Sequence, residues 1–343
     1  MKLSLRAPKK DDFIRGPYFH SILKICVYLL ICFGITYTLE FTLIPMGGVK
    51  SPIYSNMSGF CMFFPMISVY LTYLFTHTPL TVDLKVWSTH LKEHWIYIIV
   101  GYFIMPVFSL LGVFTFYATH PDAMDISMGY MINKQQILNK FYDIHTTETG
   151  LHVEFSYQMI VALLISPIIN LGVTIGEEIG WRLFLFPEMS KILNPKISTW
   201  ICGVIWGLWH APLVYFGHNY GTDYAAWPYA GILMTCVMTT FTGNMLNFFY
   251  LKTGNVLIPA MMHSSLNALA TLYIYFIDTM WSGWETLSVF EQPTTVGVFN
   301  LIPFMIAGCV VVVFMSFSDV DKFREDSSSK QEKENVINND PLI

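Results

Sequence analysis

Glu177 and Glu178, with Arg182 four residues after the second, stand in a stretch of sequence that is otherwise apolar. A charged carboxylate at bilayer depth costs about 2.5 to 3.5 kcal/mol even on lenient insertion scales, so an acidic pair placed there points to use. Two more pairs with the same spacing follow, Trp206 with His210 and His263 with Asn267. Residues four apart share a helix face, so each pair can project into one cavity. Glu177 lies about 100° round the helix from Glu178, which gives the two carboxylates different roles. Glu178, neutralised by Arg182, fixes the helix and leaves Glu177 as general base. His210 holds the same water or shares its proton, while His263 and Asn267 donate to a tetrahedral oxyanion. That set suffices for amide hydrolysis without a serine or cysteine nucleophile. Each pair alone also has a plain reading, as a structural ion pair, a packing histidine or interhelical glue. Three such pairs on neighbouring stretches favour the functional one.

The elements that carry these pairs are membrane helices. The 343 residues are 54% hydrophobic and only 13% charged, well below the roughly 25% charged of a soluble domain. The chain reads as an all-α polytopic membrane protein. Windows long enough to cross about 30 Å of hydrocarbon fall at 21–44, 58–76, 94–118, 155–176, 198–217, 227–250, 256–278 and 295–318, about eight spans. Lys2, Arg6, Lys9, Lys10 and Arg15 precede the first, and Lys322, Arg324, Lys330 and Lys333 follow the last. The positive-inside rule then makes both termini cytoplasmic. Lys85 and Lys92, Arg182 with Lys191 and Lys196, and Lys252 fall in loops assigned to the same side, whereas the opposite loops 218–226 and 279–294 carry neither Lys nor Arg and 119–154 carries Lys134 and Lys140 among Asp122, Asp125, Asp143, Glu148 and Glu154.

Five segments follow: a cytoplasmic N-terminal segment (1–20), membrane helices with a surface loop (21–154), a catalytic helical core (155–278), a last loop and span (279–318), and a polar tail (319–343) expected to be disordered and cytoplasmic. The surface loop is expected to hold a short amphipathic helix around 133–143. Six cysteines lie in apolar stretches without CxxC spacing and read as free packing residues. No basic patch argues for nucleic acid; the partners expected are membrane lipid and a peptide or lipidated protein. Glu40 is expected to snorkel outward or to pair with a cavity residue, and Asn170 with Pro167 either to kink their helix or to make an interhelical hydrogen bond.

The three pairs resemble the motifs of the CPBP intramembrane proteases (the Abi family), which include type II CAAX prenyl endopeptidases and bacteriocin-immunity proteins. The first motif stands here as Glu177-Glu178-Ile179-Gly180-Trp181-Arg182, the second as Trp206-Gly207-Leu208-Trp209-His210, and the third as His263-Ser264-Ser265-Leu266-Asn267. They occur in the family's order over roughly 155–275, with Trp206 where Phe is usual. The resemblance implies an intramembrane endopeptidase working at the cytoplasmic side of the membrane, with Glu177 and His210 activating water and His263 and Asn267 stabilising the oxyanion. Zinc stays open: Glu177, His210 and His263 would form a His₂Glu set, although the absence of an HExxH pair favours the metal-free form. Two readings from other classes remain. One is a non-catalytic bacteriocin-immunity or peptide-binding protein, and the other a proton-relaying transporter, disfavoured because no internal repeat is visible.

Overall fold

The computed structural model describes residues 17–49, 51–78, 93–270 and 272–315, and the account that follows concerns these. The basic segment before residue 17, the loop with Lys85 and the tail 319–343 lie outside them.

Among the described residues the architecture is helical, with one isolated bridge between Met124 and Ile277 and no strand. The order is α1 (Pro17–Gly47), α2 (Pro52–Cys61), α3 (Phe64–Phe75), α4 (Trp95–Thr119), α5 (Gly129–Phe141), α6 (Glu148–Leu164), α7 (Ser166–Glu178), a π turn (Ile179–Leu185), α8 (Phe186–Ser190), α9 (Pro195–Trp209), α10 (Ala211–Tyr215), α11 (Tyr229–Thr253), α12 (Leu257–Ala268) and α13 (Val298–Phe314). By length and apolarity α1, α4 and α11 can each cross a membrane. Two bent pairs, α2 with α3 and α6 with the helix that follows it, raise the number to five.

Every one of the eight apolar windows is occupied by helix, but three are filled by pieces too short to span. The window 198–217 divides between α9 and α10, 256–278 holds only the twelve residues of α12 before irregular chain and a 3₁₀ turn, and α13 has seventeen. Proline explains much of the breakage, because it brings no N–H to the helical ladder. Pro167 sits at the start of α7, directly after the break that bends it 41° from α6; of the two readings the sequence leaves open for Asn170 with Pro167, this is the kink. The surface helix predicted at 133–143 forms as α5, beginning four residues earlier.

The helices that matter most for the site are drawn together by small residues. A Cβ on Gly203 would collide with Thr240 Cα, and one on Gly207 with Cys236 Cα. These two glycines, one turn apart on α9, let its backbone approach α11 closely, the small-xxx-small mode of membrane helix packing. Thr239 Oγ1 uses that proximity to donate to Gly203 O at 2.9 Å. Helix α12 packs against both α7 and α4, and hydroxyls tie the first pair: Thr174 Oγ1 donates to Ala260 O at 3.1 Å and Ser264 Oγ to Pro167 O. On α1 the residues Tyr28, Cys32, Thr36, Glu40 and Ile44 form a buried stripe with four-residue spacing, so this helix seals the site from one side. Glu40 does neither thing expected of it. It is fully buried, and neither carboxylate oxygen has a hydrogen-bond partner.

Candidate active site

Glu177 and Glu178 end α7, and the chain passes straight into the π turn. There the N–H of Phe186 reaches back five residues to Trp181 O, the lengthened bond that defines a π turn. Pro187 follows and has no N–H for Leu183 O, which accounts for the ladder changing register at this point. The turn carries Trp181 and Arg182, each four residues beyond one of the carboxylates. Both bonds are made. Trp181 Nε1 donates to Glu177 Oε2 at 3.3 Å, and Arg182 Nη1 donates to Glu178 Oε1 at 2.9 Å.

The two carboxylates are therefore held in different ways. Glu178, with no exposed surface, meets Arg182 and also the imidazole of His263, whose Nδ1 lies 2.9 Å from the same Oε1. Glu177, 2% exposed, meets two indoles and no cation: Trp206 Nε1 donates to its Oε2 at 2.8 Å beside the weaker bond from Trp181. Among the described residues each carboxylate has one oxygen without a hydrogen bond, Oε1 of Glu177 and Oε2 of Glu178.

Trp206 is the hub of the arrangement. Its ring lies 4.2 Å from the Arg182 guanidinium carbon, meets the His263 ring edge to face at 5.2 Å between centroids, and stands 6.0 Å from the His210 ring. One side chain thus touches or borders four of the residues singled out in the sequence.

His210 is placed by a break in the chain. Helix α9 ends at Trp209, and Pro212 in α10 cannot donate to Leu208 O, which accepts the Tyr37 hydroxyl at 2.5 Å instead. His210 Nδ1 lies 2.9 Å from Trp206 O. A carbonyl only accepts, so Nδ1 carries the proton and the neutral ring presents a lone pair at Nε2. Trp209 beside it donates to Thr36 Oγ1 at 2.9 Å, which anchors the break to α1.

Helix α12 supplies the last two residues. Asn255 Oδ1 accepts from Leu257 N at 2.8 Å and starts the helix; His263 then falls on the buried face. Asn267, one turn further on, is exposed and makes no side-chain hydrogen bond among the described residues. Glu177, Glu178, Arg182, Trp206, His210 and His263 are accordingly brought together, and Asn267 stands at the edge of the group.

A zinc ion would need three ligands from this set. Among the described residues no three His, Cys, Asp or Glu side chains are gathered closely enough to hold a metal. Glu178 is committed to Arg182 and His263, and one oxygen of Glu177 to two indoles. As arranged, these side chains do not fit a zinc ion.

Three contacts went unforeseen in the sequence, the bond from Trp206 to Glu177 among them. Trp181 holds Glu177 through the same four-residue spacing that pairs Glu178 with Arg182, so its signal was present. The bond between His263 and Glu178 joins helices 85 residues apart, and no local pattern announces it.

Fold and site together define an all-helical bundle with apolar helices of membrane-spanning length and a buried glutamate, arginine and histidine cluster at its centre. Residues 155–269 match the family described as Type II CAAX prenyl endopeptidase Rce1-like. That stretch contains all three motifs and every residue of the cluster, and the resemblance to the CAAX proteases is thereby shown for this third of the chain. The match suggests a CAAX-type intramembrane protease acting on a peptide or protein. No curated protein matches the chain.

Proposed function

We propose that this protein is an intramembrane endopeptidase that cuts a peptide bond near the cytoplasmic membrane surface with water activated by Glu177. The observation that carries this reading is the asymmetry of the two carboxylates: among the described residues Glu178 is bonded to the Arg182 guanidinium and the His263 imidazole, whereas Glu177 is bonded only to two indole N–H groups and is left without a paired cation.

In this scheme Glu177 Oε1 and His210 Nε2 are two acceptors that hold one water between them. Glu177 takes a proton as the water oxygen attacks the peptide carbonyl carbon. His263, whose Nδ1 is turned to Glu178, stands on the side of the oxyanion in this scheme. Asn267, at the exposed end of the same helix face, adds a donor when substrate covers it. Collapse of the tetrahedral intermediate breaks the C–N bond, and the proton held by Glu177 passes to the leaving amine. The products are a carboxylate and an amine, with no covalent enzyme intermediate.

Both termini are cytoplasmic in this reading; the distribution of Lys and Arg along the sequence supports it. The test is reconstitution in liposomes with a prenylated and an unprenylated copy of one peptide, products being read by mass spectrometry in ¹⁸O-water. Cleavage with one ¹⁸O atom in the new carboxylate is expected, and the ratio of the two peptides reports whether the lipid matters. A protein that binds these peptides but cleaves neither is the immunity or binding protein of the alternative reading.

A further inference from the structure

We infer that Trp206 is a positioning residue for Glu177, acting through its indole N–H and not only through the bulk of its ring. The inference rests on Glu177 being the general base.

A buried carboxylate can rotate about its last side-chain bond, and a base that presents either oxygen in several orientations spends part of its time misaligned. Trp206 Nε1 lies 2.8 Å from Glu177 Oε2, the shortest hydrogen bond that this carboxylate makes, and Trp181 Nε1 approaches the same oxygen at 3.3 Å. Both donors fall on Oε2. The planar group is pinned on one side, and Oε1 becomes the oxygen presented to water. Indole is suited to the task because it is a donor only; it orients the carboxylate and has no lone pair with which to compete for the water proton.

The same ring is itself fixed. Arg182 lies over its face at 4.2 Å, and His263 meets it edge to face. Gly207, the next residue, draws α9 against α11 and leaves the ring buried. Trp206 O also accepts from His210, so one residue sets the base by its side chain and the neighbouring imidazole by its backbone. A purely space-filling tryptophan would need none of this direction: the ring could pack equally well with its N–H turned away from the carboxylate.

The experiment separates the N–H from the ring. Replacing Trp206 with β-(3-benzothienyl)alanine puts sulfur in place of N–H in an indole-shaped ring, and Trp206→Phe removes the donor with a smaller aromatic. A hydrogen bond to a charged group sets the scale of the effect, and kcat on the cleaved peptide is expected to fall roughly 10- to 100-fold in the benzothienyl variant with KM unchanged. Trp181→Phe, which loses the longer bond, is expected to lose less. Retention of kcat within about twofold in the benzothienyl variant overturns the inference, as does a rise in KM at constant kcat, which would make Trp206 part of the substrate wall. Glu177→Gln is measured alongside: if it stays active, the base assignment itself has failed. If it is inactive while the benzothienyl variant is not, only the role of Trp206 falls.

Discussion

The pair of Arg182 with Glu178 should be the most costly polar contact in the protein to break. The two side chains are 3% and 0% exposed and their atoms meet at 2.9 Å. Unit charges about 4 Å apart attract by about 4 kcal/mol at an effective dielectric near 20, and removing one partner of a buried pair typically costs 3–5 kcal/mol because the other is stranded. Arg182→Met keeps an unbranched apolar stem, takes away the charge, and leaves Glu178 with His263 alone. It also removes the cation over the Trp206 ring, worth about 0.5–2 kcal/mol. We therefore expect a loss of about 3–5 kcal/mol in unfolding measured in detergent micelles. The double variant with Glu178→Gln is expected to recover at least about 2 kcal/mol relative to the sum of the single changes, since a neutral amide no longer needs the arginine. A loss below about 1 kcal/mol for Arg182→Met, or additivity within about 0.5 kcal/mol in the cycle, would refute the claim that this pair is buried and mutually dependent.

Three further outcomes are expected. Glu40 is buried with neither oxygen hydrogen-bonded, and Glu40→Leu should therefore raise stability by about 1–3 kcal/mol in the same unfolding assay; a drop would mean that the carboxylate has a partner after all. His218, in the loop after α10, accepts from or donates to the Tyr54 hydroxyl at 2.7 Å, and burial pushes its imidazole down to about 4. Its contribution is then complete above about 6.5, the unfolded value, and is lost as pH falls towards 4, because the unfolded chain binds the proton first. The slope is at most about 1.4 kcal/mol per pH unit and smaller for a partly exposed ring; thermal unfolding between pH 7 and pH 4 should show it, and His218→Gln should flatten it. Gly207→Leu drives a side chain into the α11 backbone at Cys236, and should cost at least about 1–3 kcal/mol and lower turnover together with stability; an unaltered melting curve would contradict the close approach.

Helix face and local spacing made much of the site legible in the sequence. Glu178 and Arg182 are four apart and bonded, and the same is true of Glu177 and Trp181. Periodicity says which side chains share a face but not what the face meets, so the bond from His263 to Glu178 and the N–H of Trp206 on Glu177 appear only when α7, α9 and α12 are packed. Asn267 illustrates the limit from the other side: its spacing puts it in line with His263, yet one turn along α12 carries it from the buried core to the exposed end. The number of spans was less legible for a related reason. A hydropathy window counts apolar residues whether or not the backbone is helical, so 256–278 reads as a span although helix α12 ends at Ala268. The windows at 155–176 and 198–217 contain prolines, at 167 and 212, whose missing N–H groups break the helix where the motif residues need to turn inward.

Turnover by Glu177→Gln in liposomes, compared with the unaltered protein on the same peptide, bears most directly on the central claim. Glutamine keeps an acceptor for both indoles and should leave folding intact, but it cannot take a proton from water. The account predicts that cleavage falls at least about 100-fold, the lower range for loss of a general base, with the unfolding temperature unchanged. Turnover within tenfold of the unaltered protein would contradict it.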